Sequence, residues 1–217
     1  CYAVVGYQTA WLKAHYPVEF MAALMTSVMD NAAKVSGYVE ECKKMGIQLL
    51  PPDINEGYKQ FSVSDGKIRF ALAAIKSVGR GAVDALVRER EKKGPYTSLT
   101  DFCNRMEGGE WNKRGIESLI KAGAMDSFGG FRSQYMLIYK NILDGIGQAR
   151  KNNIEGQLNL FDLGGNDDTF QQKDELPDIP EFPSRDKLAM EKEVLGIYVS
   201  GHPLAEYEEQ LRRKVSH

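Results

Sequence analysis

The stretch LAAIKSVGRGAVDALVRERE, residues 72–91, places two glycines one residue apart between two runs with helical spacing of apolar residues. This spacing predicts a helix that runs into Ser77, a tight turn, and a second helix that starts at Ala82. Glycine tolerates the backbone conformations of a tight turn and puts no side chain between the backbone and a ligand. We therefore expect an αα-hairpin at this point of the chain.

The turn of this hairpin has two interpretations. In a helix-hairpin-helix, the glycines let a phosphate approach, and the N–H groups at the start of the second helix bind its oxygens with help from the helix dipole. The candidate DNA-binding residues are then Lys76, Ser77, Val78, Gly79, Arg80 and Gly81, with Arg88 adding positive charge. Such contacts follow the DNA backbone and not the base sequence. In the other interpretation, the turn is an ordinary αα-turn with a glycine C-cap, and the motif alone leaves both open.

A second hairpin follows at WNKRGIESLIKAGAMDSFG, residues 111–129, with its turn around Gly123. This turn lacks the paired glycines of the first. We interpret the second hairpin as the structural partner of the first and not as an equal DNA contact.

The remaining helix-start, helix-end and turn signals predict a mainly α chain. A helix over residues 2–16 ends before Pro17, which then opens a helix with a Met-rich apolar stripe. Asn31 is the expected N-cap of a third helix, which closes at Gly46. Alternating apolar residues around an Asp-Gly pair predict one short β-hairpin near residues 61–70, with no large sheet.

Charge is segregated along the chain. Residues 66–151 carry 16 Lys and Arg against 9 Asp and Glu, whereas residues 152–193 carry 4 against 11. A basic block followed by an acidic one favours a polyanion-facing module followed by a solvated tether. The three cysteines are far apart and form no CxxC pair, so we expect no zinc site or disulfide framework, and a reducing cytoplasm fits.

Between Lys151 and Pro183 the helical periodicity stops, and Gly, Asn, Asp, Gln and Pro dominate. This composition predicts a poorly ordered segment over residues 152–183. Large apolar side chains nevertheless stand inside it, in GQLNLFDL at residues 156–163. The pattern leaves two interpretations open: a linear epitope for a partner, or a satellite cluster that covers a nearby core patch. Helical spacing resumes after this segment and is broken at Gly201.

Five segments in this order carry a family resemblance: YQTAWLKAHYPVEFMAALMTSVMDN, ECKKMGIQLLPPDIN, IRFALAAIKSVGRGAVDALV, NKRGIESLIKAGAMDSFG and KEVLGIYVSGHPL. Together they resemble the C-family replicative polymerases, the α subunits of bacterial DNA polymerase III, over essentially the whole chain. The resemblance implies four parts. Residues 1–60 are similar to the end of the fingers region, and residues 61–150 to the tandem helix-hairpin-helix domain. Residues 151–184 correspond to a flexible clamp-binding segment, and residues 185–217 to a helical lead-in to an OB-fold region.

The resemblance also implies partners and chemistry. In this family the segment after the hairpin domain holds a motif for the sliding clamp, the β subunit, and Gln157, Leu158, Leu160 and Phe161 match it. Duplex DNA and other replisome subunits are the further expected partners, with no membrane. The parent is expected to be a DNA-directed DNA polymerase whose Mg²⁺-binding palm carboxylates lie upstream of Cys1. This chain is then expected to bind and position DNA without catalysis, and to hold no cofactor.

Two alternatives stay open from the residues alone. A helix-hairpin-helix DNA glycosylase is one, because Asp101 lies twenty residues after Gly81, close to where such enzymes place a catalytic aspartate. Against it, we locate no aromatic base pocket or cap domain, and Thr97 or Ser98 opens a helix at this point equally well. A free-standing DNA-binding adaptor is the other, and the missing initiator Met and mid-helix start argue against it.

Overall fold

A computed structural model describes residues 2–106, 109, 111–154 and 174–201. Within these ranges the chain forms eight α-helices and three short strands. The helices are α1 (Tyr2–His15), α2 (Pro17–Ser27), α3 (Ala32–Lys44), α4 (Arg80–Lys93), α5 (Leu99–Arg105), α6 (Lys113–Lys121), α7 (Arg132–Ile154) and α8 (Ser184–Leu195). The strands are β1 (Leu49–Leu50), β2 (Ser62–Ser64) and β3 (Lys67–Arg69). The prediction of a mainly α chain is confirmed. Among the helices that the structure describes, none combines the length and the apolar character of a membrane-spanning segment.

The first three helices begin and end where the sequence predicts. Pro17 occupies the first turn of α2, whose Met21 and Met25 are fully buried. The Asn31 side chain caps α3 by accepting a hydrogen bond from the Lys34 N–H at 3.1 Å. Gly46 follows that helix with a φ of +73°, the left-handed backbone that ends many helices.

The predicted β-hairpin is present, and a third strand joins it. Strands β2 and β3 pair antiparallel around Asp65 and Gly66, both of which have positive φ, as a tight two-residue hairpin turn requires. Strand β1 pairs parallel to β3, which gives the sheet order β1-β3-β2. The two-residue strand β1 was not predicted, because two residues are too few to show an alternating pattern.

One apolar core joins residues of α2 to α8 and of β1 and β3, whereas α1 buries no residue. It runs from the Met stripe of α2 through β3 and α4 to the last turn of α8. Phe70, Leu86 and Tyr135 are among its largest fully buried side chains. Burial of this kind, at roughly 1.5–3 kcal/mol per large apolar side chain, is the main term that stabilises the arrangement.

The prediction of a helix ahead of the hairpin turn is wrong. Residues Leu72–Ala74 form one 3-10 turn, and the flanking Ala71 and Ile75 are extended. Tertiary hydrogen bonds replace the helical ones: the Leu72 N–H donates to the Tyr58 carbonyl, and the Lys76 N–H donates to the Val194 carbonyl. The second helix of the hairpin, α4, begins at Arg80, two residues before the predicted start.

The prediction of poor order is wrong for residues 174–183, which we call the strap. Asp174 accepts hydrogen bonds from the backbone N–H groups of Leu99 and Thr100 in the first turn of α5, at 2.8 and 2.9 Å. Glu181 accepts from the N–H groups of Arg132 and Ser133 in the first turn of α7, at 3.2 and 3.1 Å. Acidic residues of the segment that was predicted to be poorly ordered thus cap the starts of two helices.

Helix α8 also ends earlier than its pattern predicts. Gly196, with a φ of +77°, ends the helix after Leu195, and the residues up to Gly201 are irregular. A Cβ at Gly196 would lie 2.8 Å from the Ala32 Cβ, so the end of α8 packs directly against the start of α3.

Candidate nucleic-acid interface

Two buried apolar side chains anchor the hairpin turn, residues 76–81, in the core. Ile75 and Val78 lie in the core, and the Val78 N–H donates to the Ile75 carbonyl at 3.2 Å. Lys76, Ser77, Gly79 and Arg80 are exposed. The structure therefore brings the predicted residues together in one exposed turn, except that the Val78 side chain faces inward and leaves only its backbone for a ligand.

Ser77 supplies the unusual backbone of this turn. Its φ is +65°, and only Asp65 shares a positive φ among the non-glycine residues that the structure describes. Glycine adopts this region readily, whereas other residues adopt it at a cost. The tight turn therefore lies at Ser77, and the predicted assignment to Gly79 and Gly81 is wrong.

The two glycines have a different geometry. Gly79 is the N-cap of α4 with φ −74° and ψ 145°, an extended conformation that any residue adopts. A Cβ there would lie 4.0 Å from the Ala82 Cβ, an ordinary contact. Gly81 lies within the first turn of α4 and is partly exposed. Their common property is therefore the absence of a side chain over the start of α4.

The start of α4 has no side-chain cap. Gly79 makes no capping hydrogen bond, whereas Ser98 caps α5 and Asn112 caps α6. The first N–H groups of a helix have no partner within the helix, and together with the helix dipole they favour an anion. An exposed helix start of this kind suits a phosphate oxygen.

Gly115 is a residue of this region that the sequence analysis missed. A Cβ on Gly115 would lie 3.2 Å from the Ser77 carbonyl oxygen, so the hairpin turn rests directly on the first turn of α6. Glycine near the start of an amphipathic helix is unfavourable without such a reason. Its position three residues after the Asn112 cap was the available signal.

Positive charge surrounds the turn, and Asp30 is an acidic neighbour. The Arg80 guanidinium donates to the Asp30 carboxylate at 2.7 and 2.9 Å, but the two side chains are 53% and 83% exposed. An exposed pair of this kind contributes little to stability, so Arg80 is free to exchange its partner. Lys76 and Arg88 are exposed, and no ion pair within the described ranges includes either of them.

The second hairpin turn is filled from inside the protein. Gly123 has a φ of +77°, and the Arg132 guanidinium occupies the place that a side chain at Gly123 would take. Arg132 is buried and donates to Asp126 and to Glu191, which is 1% exposed. Burial alone lowers the pKa of Arg132, but the hydrogen bonds and charges of these two carboxylates outweigh it and raise the pKa. This arrangement supports the interpretation of the second hairpin as a structural partner.

Asp101, the residue that suggested a glycosylase, is engaged in a helix cap. It lies in the first turn of α5, where it accepts a hydrogen bond from the Thr97 N–H at 3.0 Å and pairs with Arg105 at 3.4 Å. Ser98 is the N-cap and accepts from the Asp101 N–H. A carboxylate so committed to helix capping is poorly placed to act as a general base.

Two further sequence predictions stay predictions. Gln157, Leu158, Leu160 and Phe161 lie outside the described residues, between the end of α7 and the strap. No group of three or more His, Cys, Asp or Glu side chains within the described ranges is arranged to hold a metal ion.

Comparison with known protein families identifies the hairpins. The family profile described as "Helix-hairpin-helix motif" matches residues 46–135. The match starts before β1 and ends within α7, so it includes both hairpin turns.

Comparison with curated proteins gives matches over almost the entire chain. A Vibrio cholerae protein named DNA polymerase III subunit alpha is 44% identical, and the match covers 99% of this chain and 19% of that relative. Relatives of the same name from Mycobacterium tuberculosis and Escherichia coli are 42% and 41% identical. These matches cover 94% and 99% of this chain, and 17% and 18% of the relatives. The chain thus spans less than a fifth of the length of the curated relatives that it matches.

Proposed function

Because this chain belongs to the family of DNA polymerase III α subunits, we propose that it is the part of such a polymerase that holds duplex DNA and the sliding clamp. The parent is a DNA-directed DNA polymerase of the cytoplasm that works with other replisome subunits. The Mg²⁺ ions and palm carboxylates of the parent belong to a part outside this chain. This chain itself positions DNA and does not catalyse the reaction.

One observation carries the duplex-binding proposal: α4 presents an exposed, uncapped start at a turn anchored by Ile75 and Val78. The N–H groups of this first turn donate to phosphate oxygens, and the absent side chains of Gly79 and Gly81 let the phosphate come close. Lys76 and Arg80 supply charge beside them. Since all these contacts are to the DNA backbone, binding is independent of base sequence.

The test is duplex affinity as a function of salt for the chain and for Gly81→Val. Counterion release dominates phosphate contacts, so affinity falls steeply between about 50 mM and about 200 mM salt. Gly81→Val places a branched side chain where a phosphate approaches, and we expect about tenfold weaker binding. Gly37→Val is the control, because Gly37 is an exposed glycine within α3 whose added Cβ meets no atom within 4 Å. A flat salt response, or equal losses in the two variants, contradicts the proposal.

The clamp-binding proposal rests on the family and on the residues Gln157, Leu158, Leu160 and Phe161. A short peptide of this kind gains affinity by placing large apolar anchors in a preformed pocket, while Gln supplies directional hydrogen bonds. Its flanks, α7 and the strap, belong to the folded part of the chain. We propose that a chain which binds both the duplex and the clamp supports processive synthesis.

This proposal is tested by titrating the cognate clamp with the chain and with the double variant Leu160→Ala, Phe161→Ala. Burial of a Leu or Phe contributes roughly 1.5–3 kcal/mol, so the double change weakens clamp binding by about two to four powers of ten. Leu163→Ala, in the same segment, is the control and retains clamp affinity. Equal clamp affinity of the double variant and the parent chain eliminates the motif, and a large fall in its melting temperature indicates the satellite-core interpretation instead.

A further inference from the structure

A groove of about 710 Å³ lies against α4 beside the hairpin turn. Residues 58–62 form one wall, and the other wall is the face of α4 that carries Gly81, Val87 and Arg88. Its volume falls within the range of small-molecule sites in proteins. Gly81 therefore belongs both to the uncapped helix start and to this groove, so a ligand bound at the helix start continues into it.

Tyr58 is a rigid aromatic surface at this groove. It is 48% exposed, and the guanidinium of Arg90 lies over its ring at 5.0 Å from the centroid. Arg90 is itself buried and donates to the carbonyls of Ile54 and Gly57 at 2.7 and 2.8 Å. The Tyr58 carbonyl accepts the Leu72 N–H, which fixes the backbone as well. An aromatic ring held in this way loses little conformational freedom when a planar ligand stacks on it.

The other groove residues match the parts of a nucleotide. Gln60 and Ser62 line the groove and offer the amide and hydroxyl groups that hydrogen-bond to base edges. Arg88 is an exposed cation on the same wall as Gly81. The one carboxylate of the groove, Asp84, is paired with Lys59 at 2.7 Å, so Arg88 leaves an excess of positive charge.

We propose that this groove binds one unpaired nucleotide of a DNA strand. Its base stacks on Tyr58, and its phosphate lies at the start of α4 beside Gly81. The proposal rests on the proposed duplex binding and adds to it a preference for a junction between paired and unpaired DNA. Stacking on an aromatic side chain tolerates any base, so the preference is independent of sequence.

The experiment uses the whole chain and three DNA probes that share one duplex. The first probe is blunt, the second has a short single-stranded overhang, and the third has the same overhang built of abasic units. The second and third carry equal charge and differ only in their bases. We expect about tenfold tighter binding of the base-bearing overhang than of the abasic one, the effect of one base–aromatic stack.

Variants locate the effect. Tyr58→Ala removes the preference for bases and leaves blunt-duplex affinity unchanged, whereas Tyr58→Phe retains the preference because the ring remains. Tyr7→Ala is the matched control, since Tyr7 is exposed on α1. In the unaltered chain, a fluorescent base analogue at the first unpaired position is quenched on binding, a readout that does not depend on how a variant folds.

The outcomes separate the two proposals. Salt-sensitive binding of the blunt duplex with no preference for bases, or with a preference that survives Tyr58→Ala in a folded variant, overturns the groove proposal alone. An unquenched base analogue in the bound complex also overturns it. Absence of blunt-duplex binding under all salt conditions overturns the duplex-binding proposal itself.

Discussion

Ser77 carries the left-handed backbone of the hairpin turn although two glycines lie within four residues of it. Gly79 is extended and Gly81 is helical, so neither relieves the turn. A non-glycine residue in the left-handed region costs about 1–2 kcal/mol and persists only where the surroundings hold it. Here the buried Ile75 and Val78, together with the contact between the Ser77 carbonyl and Gly115, provide that support.

The strained backbone of Ser77 predicts how substitutions at this position change the free energy of unfolding. Ser77→Val lowers the free energy of unfolding by about 1–2 kcal/mol, because a β-branched side chain is disfavoured most in this region. Ser77→Gly leaves it unchanged or raises it by up to about 1 kcal/mol. Ser64→Val in strand β2 is the control and is tolerated, since strands favour branched residues. Chemical denaturation measures all three, and an unaffected Ser77→Val shows that the turn is not strained.

At the scale of elements, the helix ends depend on residues far away in the sequence. The strap brings Asp174 to the first turn of α5 and Glu181 to the first turn of α7. Burial alone raises the pKa of Glu181, but the backbone N–H donors of Phe182, Ser133 and Arg132 outweigh it and lower the pKa below its ordinary value of 4.5.

The lowered pKa of Glu181 predicts a dependence of stability on pH. Because the unfolded chain takes up this proton at higher pH than the folded one, the stability that Glu181 contributes is present above about pH 4.5 and is lost on acidification. From about pH 5 to about pH 3, the melting temperature of the chain therefore falls more steeply than that of Glu181→Gln. Glu175→Gln, an exposed change within the strap, follows the parent chain. Parallel curves for parent and Glu181→Gln exclude this role of the carboxylate.

Local signals predicted the elements whose ends are set by neighbouring residues. Pro17, Asn31 and the Asp-Gly turn each act within three or four residues of their own position, and the structure has all three as predicted. The errors fall where distant contacts decide. The 3-10 turn before the hairpin is held by the Tyr58 and Val194 carbonyls, and the strap is ordered by the helix starts that it caps.

At the scale of the molecule, the chain returns to the hairpin turn after the clamp-motif segment. The Val194 carbonyl at the end of α8 accepts the Lys76 N–H, and the end of α8 also contacts Ala32 of α3. The candidate site could be located from the sequence, because its glycines and the apolar residues on either side lie in one short stretch. Its acidic neighbour Asp30 and the supporting Gly115 could not be predicted, since only tertiary packing brings these residues close to the turn.

Asp30 is predicted to restrain duplex binding. It places a negative charge beside the turn and holds Arg80. Asp30→Asn removes the charge and frees the guanidinium, so duplex affinity at low salt rises by about two- to fivefold. Asp65→Asn at the β2–β3 turn makes the same change of net charge and is the control. Equal gains in the two variants show that only the total charge of the chain matters.

The most direct test of the duplex-binding claim is an NMR titration of the isotope-labelled chain with a short duplex, followed at backbone amides. We expect the largest shifts at Gly79, Arg80, Gly81 and Ala82, around the uncapped start of α4. We also expect the same pattern of shifts for duplexes of different sequence, and we expect added salt to reverse it. Shifts concentrated elsewhere, with these four amides unchanged, or a pattern that changes with the base sequence, contradict duplex binding at this turn.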